Sequence, residues 1–111
     1  MIEANVYSQL TKLNIPVYPI KIKQGSEFPC ITYQVVSLNK ENDINAGIYG
    51  SRYRIQVDIW GRSYKEVKEL AISAVEVLNE IGAKSFSLQD LYENETELYR
   101  EMIEFNLIKG E

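Results

Sequence analysis

Tyr53, Ile55, Val57 and Ile59 alternate with Arg54, Gln56, Asp58 and Trp60. This period of two predicts a strand with one buried face. After Gly61-Arg62 the period changes to 3.6. Val67, Leu70, Ala71, Ala74, Val75, Leu78 and Ile81 form one apolar stripe, with Lys65, Glu66, Lys68, Glu69, Ser73, Glu76, Asn79 and Glu80 opposite. Ser63 and Glu66 have the spacing of a capping box, and Gly82 stands where a left-handed C-terminal residue belongs. A strand and a helix patterned this way bury their apolar faces most readily against each other.

The rest of the chain supplies further elements. Ile2, Val6, Leu10 and Leu13 recur at helical spacing, and Asn14 and Pro16 stop that helix. Residues 15–22 carry Pro16 and Pro19 and read as an edge strand or extended connector. Lys21 and Lys23 discourage pairing with a foreign chain along that edge. Pro29 to Ser37 reads as a strand, with Ile31, Tyr33 and Val35 on one face and Cys30, Thr32, Gln34 and Val36 on the other. Residues 84–91 form a short strand. Leu98 to Ile108 form the last one, with Tyr99, Glu101, Ile103, Phe105 and Leu107 on one face.

These elements predict an α+β fold: a small antiparallel or mixed four- to five-stranded sheet with two helices packed on one face. A chain of 111 residues is enough for one core, so residues 1–111 read as a single domain. The exception to the pattern is residues 39–51, which are polar and contain two glycines but also Ile44, Ile48 and Tyr49. They read as a long protruding loop whose apolar residues find a neighbouring molecule, lie against their own domain or stay disordered. Trp60, at the end of the central strand, is either packed at the sheet edge or an anchor between subunits.

Charge and chemistry narrow the function mainly by exclusion. The net charge of −4 disfavours tight nucleic-acid binding, which needs a basic footprint. No apolar run approaches the length of a membrane span, and no signal-peptide pattern opens the chain. With no histidine, a Ser-His-Asp or Cys-His device is impossible within the chain. The single cysteine, Cys30, permits no internal disulfide and reads as a small buried side chain. No metal site and no cofactor are expected, because zinc-type ligands are missing and Asp43-Asn45-Gly47 fails the calcium-loop pattern at its twelfth position, Arg54. Arg54, Asp58, Arg100, Glu101 and Glu104 read as cross-strand ion-pair groups. A hydrolytic site using Asp58 with Glu101 or Glu104 is the enzymatic alternative, and no pocket signature accompanies it.

The order of motifs carries more than any single residue. Phe28-Pro29-Cys30-Ile31-Thr32-Tyr33 and Ile55-Gln56-Val57-Asp58-Ile59-Trp60, with Ser63 and Tyr64 opening the long helix, resemble the tail-completion or tail-terminator proteins of long-tailed bacteriophages and prophages of Gram-positive bacteria. The resemblance covers nearly the whole chain; Cys30 stands where an aromatic residue is more usual. It implies a non-enzymatic virion protein, made in the host cytoplasm, forming a hexameric ring on the head-proximal end of the tail tube. Implied partners are further copies of itself, the tail tube protein and the head-connector or stopper protein, with DNA only passing through the lumen. Acidic residues suit a lumen through which DNA must slide. Another connector component, a stopper or adaptor, is the alternative role.

Overall fold

The computed structural model describes residues 1–43 and 48–110; for 41–43, 48, 49 and 110 it describes the backbone alone. In chain order, α1 (Ile2–Leu10) ends in a 3₁₀ turn (Thr11–Leu13), followed by β1 (Val17–Pro19), β2 (Cys30–Asp43) and β3 (Ile48–Gly61). Then come α2 (Tyr64–Asn79), β4 (Lys84–Glu93) and β5 (Leu98–Gly110). The five strands form one sheet in the order β1-β2-β3-β5-β4. β1 runs parallel to β2, and the other three pairings are antiparallel. The sheet is mixed, and the fold is α+β.

Local chemistry ends each helix. The Ser63 hydroxyl accepts a hydrogen bond from the Glu66 backbone N–H at 3.3 Å, satisfying a donor that the first turn of α2 leaves open. Gly82 closes the far end at φ +88°, a left-handed conformation that glycine adopts without a Cβ penalty. Asn14, at φ 60°, terminates the 3₁₀ turn in the same way.

Val67, Ala71, Ala74 and Leu78 of α2 are buried, as are Ile2, Val6, Gln9 and Leu10 of α1. They cover one face of the sheet, where Ile31, Ile55, Val57, Ile59, Ile103, Phe105 and Leu107 form the opposing layer. The alanines and Gly61 let α2 approach closely. A Cβ on Gly61 would stand 2.8 Å from Val67 Cγ2. Gln9 fastens the helices together by donating its amide to the Val77 carbonyl.

Residues 39–51 do not form a loop throughout. β2 continues to Asp43 and β3 begins at Ile48, pairing Leu38 with Tyr53, Asn39 with Arg52, Lys40 with Ser51 and so on to Asp43 with Ile48. A bulge at Val36 precedes this extension. The alternation disappears there because the hairpin runs beyond the helices: Val36, Ser37, Leu38, Asn39 and Lys40 are all exposed. A strand without a buried face has no reason to alternate. The molecule is accordingly elongated, 49 × 22 × 22 Å. Ile44 lies outside the described residues, as do the side chains of Ile48 and Tyr49.

Candidate functional site

The sheet carries two polar systems, one on each face. On the face without helices, Asp58 is buried beside β5 and accepts from Arg100 Nε at 2.9 Å and Gln56 Nε2 at 2.8 Å. The Arg100 guanidinium lies 4.8 Å from the centre of the Trp60 ring, within cation–π range. The indole N–H of Trp60 donates to the Thr32 hydroxyl at 3.0 Å. Further along, Arg54 pairs with Glu104 at 3.7 Å and donates to the Asn106 side chain and the Ser85 carbonyl, both at 3.1 Å. Register explains these contacts: Asp58 faces Met102 and Trp60 faces Arg100, so Arg100 reaches Asp58 diagonally.

Glu101 departs from the expected grouping with the arginines. Strand alternation puts it on the helix-covered face, with 1% of its side chain exposed. Its cation is Lys68 of α2, at 3.3 Å. The same ammonium pairs with Asp90 of β4 at 2.9 Å, and the Tyr64 hydroxyl donates to Asp90 at 2.8 Å. Burial, and then the Asp90 carboxylate, push the Glu101 carboxyl above its usual range. Hydrogen bonding with Glu101, Lys68 and Tyr64 holds Asp90 well below its usual range. Sequence reading missed Lys68, Asp90 and Tyr64. The available signal was Glu101 itself, a carboxylate among core-facing Tyr99, Ile103 and Phe105, which requires a cation from whatever covers that face.

This arrangement does not bring the three candidate acids together. Asp58 and Glu104 share the open face, each beside an arginine, while Glu101 points to the opposite side. Cys30 is fully buried, and burial pushes its thiol up, away from the reactive thiolate. Among the described residues no group of three or more Cys, Asp or Glu side chains is placed to hold a metal ion. The open face suits contact with another surface better than chemistry: its charged groups are paired with one another and Trp60 and Met102 stand half-buried among them.

The family described as "Tail completion protein gp17" matches residues 8–108, from within α1 to the end region of β5. No curated protein matches the chain. Among solved structures, a chain of "Virion of native gene transfer agent (GTA) particle" superposes with a TM-score of 0.72 at 12% identity, covering 96% of this chain and 92% of that one. At that identity the likeness concerns the fold.

Proposed function

Since the chain belongs to the tail completion protein gp17 family, a family of phage tail structural proteins, we propose that its copies form a hexameric ring on the head-proximal end of the tail tube. The ring stops tube growth and presents the surface to which the head connector or stopper joins. Assembly takes place in the host cytoplasm, and the finished position is the head–tail joint. The protein is non-enzymatic, and DNA passes through the ring without specific contacts. The observation that carries this reading is the match over residues 8–108, which spans nearly the entire fold rather than one shared element.

Within the ring, the β2–β3 hairpin is the projecting part, and its Ile44, Ile48 and Tyr49 are assigned to contacts with the next subunit or the tube. Trp60, half-exposed on the open face, is assigned to the same class of contact. The Ile48→Asp, Tyr49→Asp double variant is expected to stop ring formation or tube capping.

Mass by light scattering, alone and with assembled tail tubes, followed by electron microscopy of the tube ends, tests the reading. The expected result is a six-fold ring on one end with tube length arrested. A protein that ignores tubes and binds only the isolated head connector is a stopper or adaptor instead.

A further inference from the structure

The two ends of the molecule differ in charge. β2 and β3, 14 residues each, run along its 49 Å axis. At one end their hairpin, with the last residues of β5 beside it, extends past the helices. Lys40, Ser51 and Lys109 form one row across these three strands, and Leu38, Tyr53 and Leu107 form the row two residues before it. Rows two residues apart face the same way. Tyr53 and Leu107 pack with the core, so both rows face the helix side of the sheet. Leu38 is 49% exposed there, and Lys40 and Lys109 are exposed beside it. Among the described residues neither lysine pairs with an acid.

The other end holds a groove of about 420 Å³, lined by Ile15, Pro29, Leu70, Glu66, Glu69 and Ser73. Pro29 directly precedes Cys30, the partner of Trp60 at the end of β3, and Glu66 lies in the first turn of α2. Ile15, Pro29 and Leu70 are half-buried and form an apolar floor, while Glu66 and Glu69 stand exposed above it. Among the described residues neither carboxylate is in an ion pair. Lys68 turns to the other side of α2, toward Asp90, and the Arg62 guanidinium lies over the Phe28 ring at 5.0 Å.

The two features are complementary. One is an exposed leucine beside two cations; the other is an apolar groove beside two carboxylates. Lys40 and Lys109 are two strand spacings apart, about 10 Å, and Glu66 and Glu69 are three residues apart on one helix, about 5 Å. Two flexible lysine side chains span that difference. A copy cannot fill its own groove, because Lys40 lies ten residues along β2 from Cys30, about 30 Å away. The acidic turn after β4 is at the same end as the groove, but the cleft there is lined by Glu93, Asn94, Glu95 and Thr96 and offers Leu38 no apolar contact. The occupant that fits is therefore the hairpin base of a second copy.

We propose that the base of the β2–β3 hairpin of one copy docks in this groove on the next, with Leu38 against Ile15, Pro29 and Leu70 and with Lys40 and Lys109 facing Glu66 and Glu69. The contact is head-to-tail: the two surfaces differ and lie at opposite ends, so each copy keeps one of each to offer, which is the geometry that generates a ring. Approach of two like ends brings like charges together and is disfavoured. The inference rests on the ring reading above and specifies the surfaces through which copies join.

Two charge-reversed proteins test it on tail tubes: Lys40→Glu with Lys109→Glu, and Glu66→Lys with Glu69→Lys. All four side chains are exposed, so circular dichroism is expected to stay native. Each protein alone puts like charges at every joint and is expected to self-associate about tenfold or more weakly. Mixed in equal amounts, alternating copies make every joint complementary again, and the mixture is expected to restore rings on tube ends. Unchanged association of both proteins, or a mixture that restores nothing, overturns the proposal. The ring reading survives that result if the native protein caps tubes as rings; if the native protein collects on no tube end, both fall. Leu38→Asp is expected to weaken association in the same measure, and no change there overturns the apolar part of the contact. Glu95→Lys with Glu97→Lys is expected to fail to rescue the Lys40→Glu, Lys109→Glu protein; rescue by that pair places the hairpin on the acidic turn and overturns the groove.

Discussion

Asp90 and Glu101 are direct cross-strand partners, and Lys68 of α2 spans both carboxylates. Facing like charges weaken a sheet, so β4 and β5 depend here on a cation supplied by the helix above them. The same cation joins α2 to the outermost strand, β4.

Removing that cation is expected to be costly. Lys68→Met leaves Glu101 almost fully buried opposite a second carboxylate. The expected loss is about 1–3 kcal/mol, less than for a fully buried pair because the Lys68 side chain is 37% exposed. Adding Glu101→Gln to Lys68→Met is expected to recover much of it. Urea unfolding of the two single variants and the double variant measures this coupling.

Acid has opposite effects on the two carboxyls. Glu101 has a raised folded pKa, so its ionised form weakens the fold at neutrality; that penalty fades as pH falls toward its ordinary value of 4.5. Asp90 has a lowered pKa, so its contribution is present above 3.8 and is lost only below that. Between neutrality and pH 4.5 the native protein is therefore expected to gain stability relative to Glu101→Gln. Urea midpoints of both proteins across that window provide the check, and a difference that does not change with pH is the contrary outcome.

Gly61→Ala is expected to destabilise by about 1–3 kcal/mol, because the new methyl meets Val67 Cγ2 at 2.8 Å where α2 crosses β3. Combining it with Val67→Ala removes the clash, so the double variant is expected to lose less than the sum of its parts. Thermal unfolding of all three variants reads this directly.

On the open face, Arg100→Ala removes both the cation over Trp60 and the partner of buried Asp58. The expected cost is about 2–3 kcal/mol, mostly from the carboxylate left with Gln56 alone. Trp60 is the sole tryptophan, so fluorescence reports the site: its emission is expected to shift to the red as the ring gains water.

Much of this fold is written locally. The switch of period at Gly61, the Ser63 cap and the left-handed Gly82 define α2 without reference to the rest of the chain. The alternation from Tyr53 to Ile59 specifies which face of β3 is covered. These signals are legible because turn chemistry and the burial of one face act on neighbours in sequence. Tertiary structure decided what depends on distant partners. Residues 39–43 and 48–51 pair as strands beyond the point where β2 loses its buried face, from Val36 to Lys40, so no periodic signal leads into them. The separation of Glu101 from Asp58 follows from strand alternation, but its pairing with Lys68 and Asp90 needed α2 laid across β5 and β4 beside it. The common level of Lys40 and Lys109 exists only after three strands are in register, since their positions in the sequence contain no trace of the row between them.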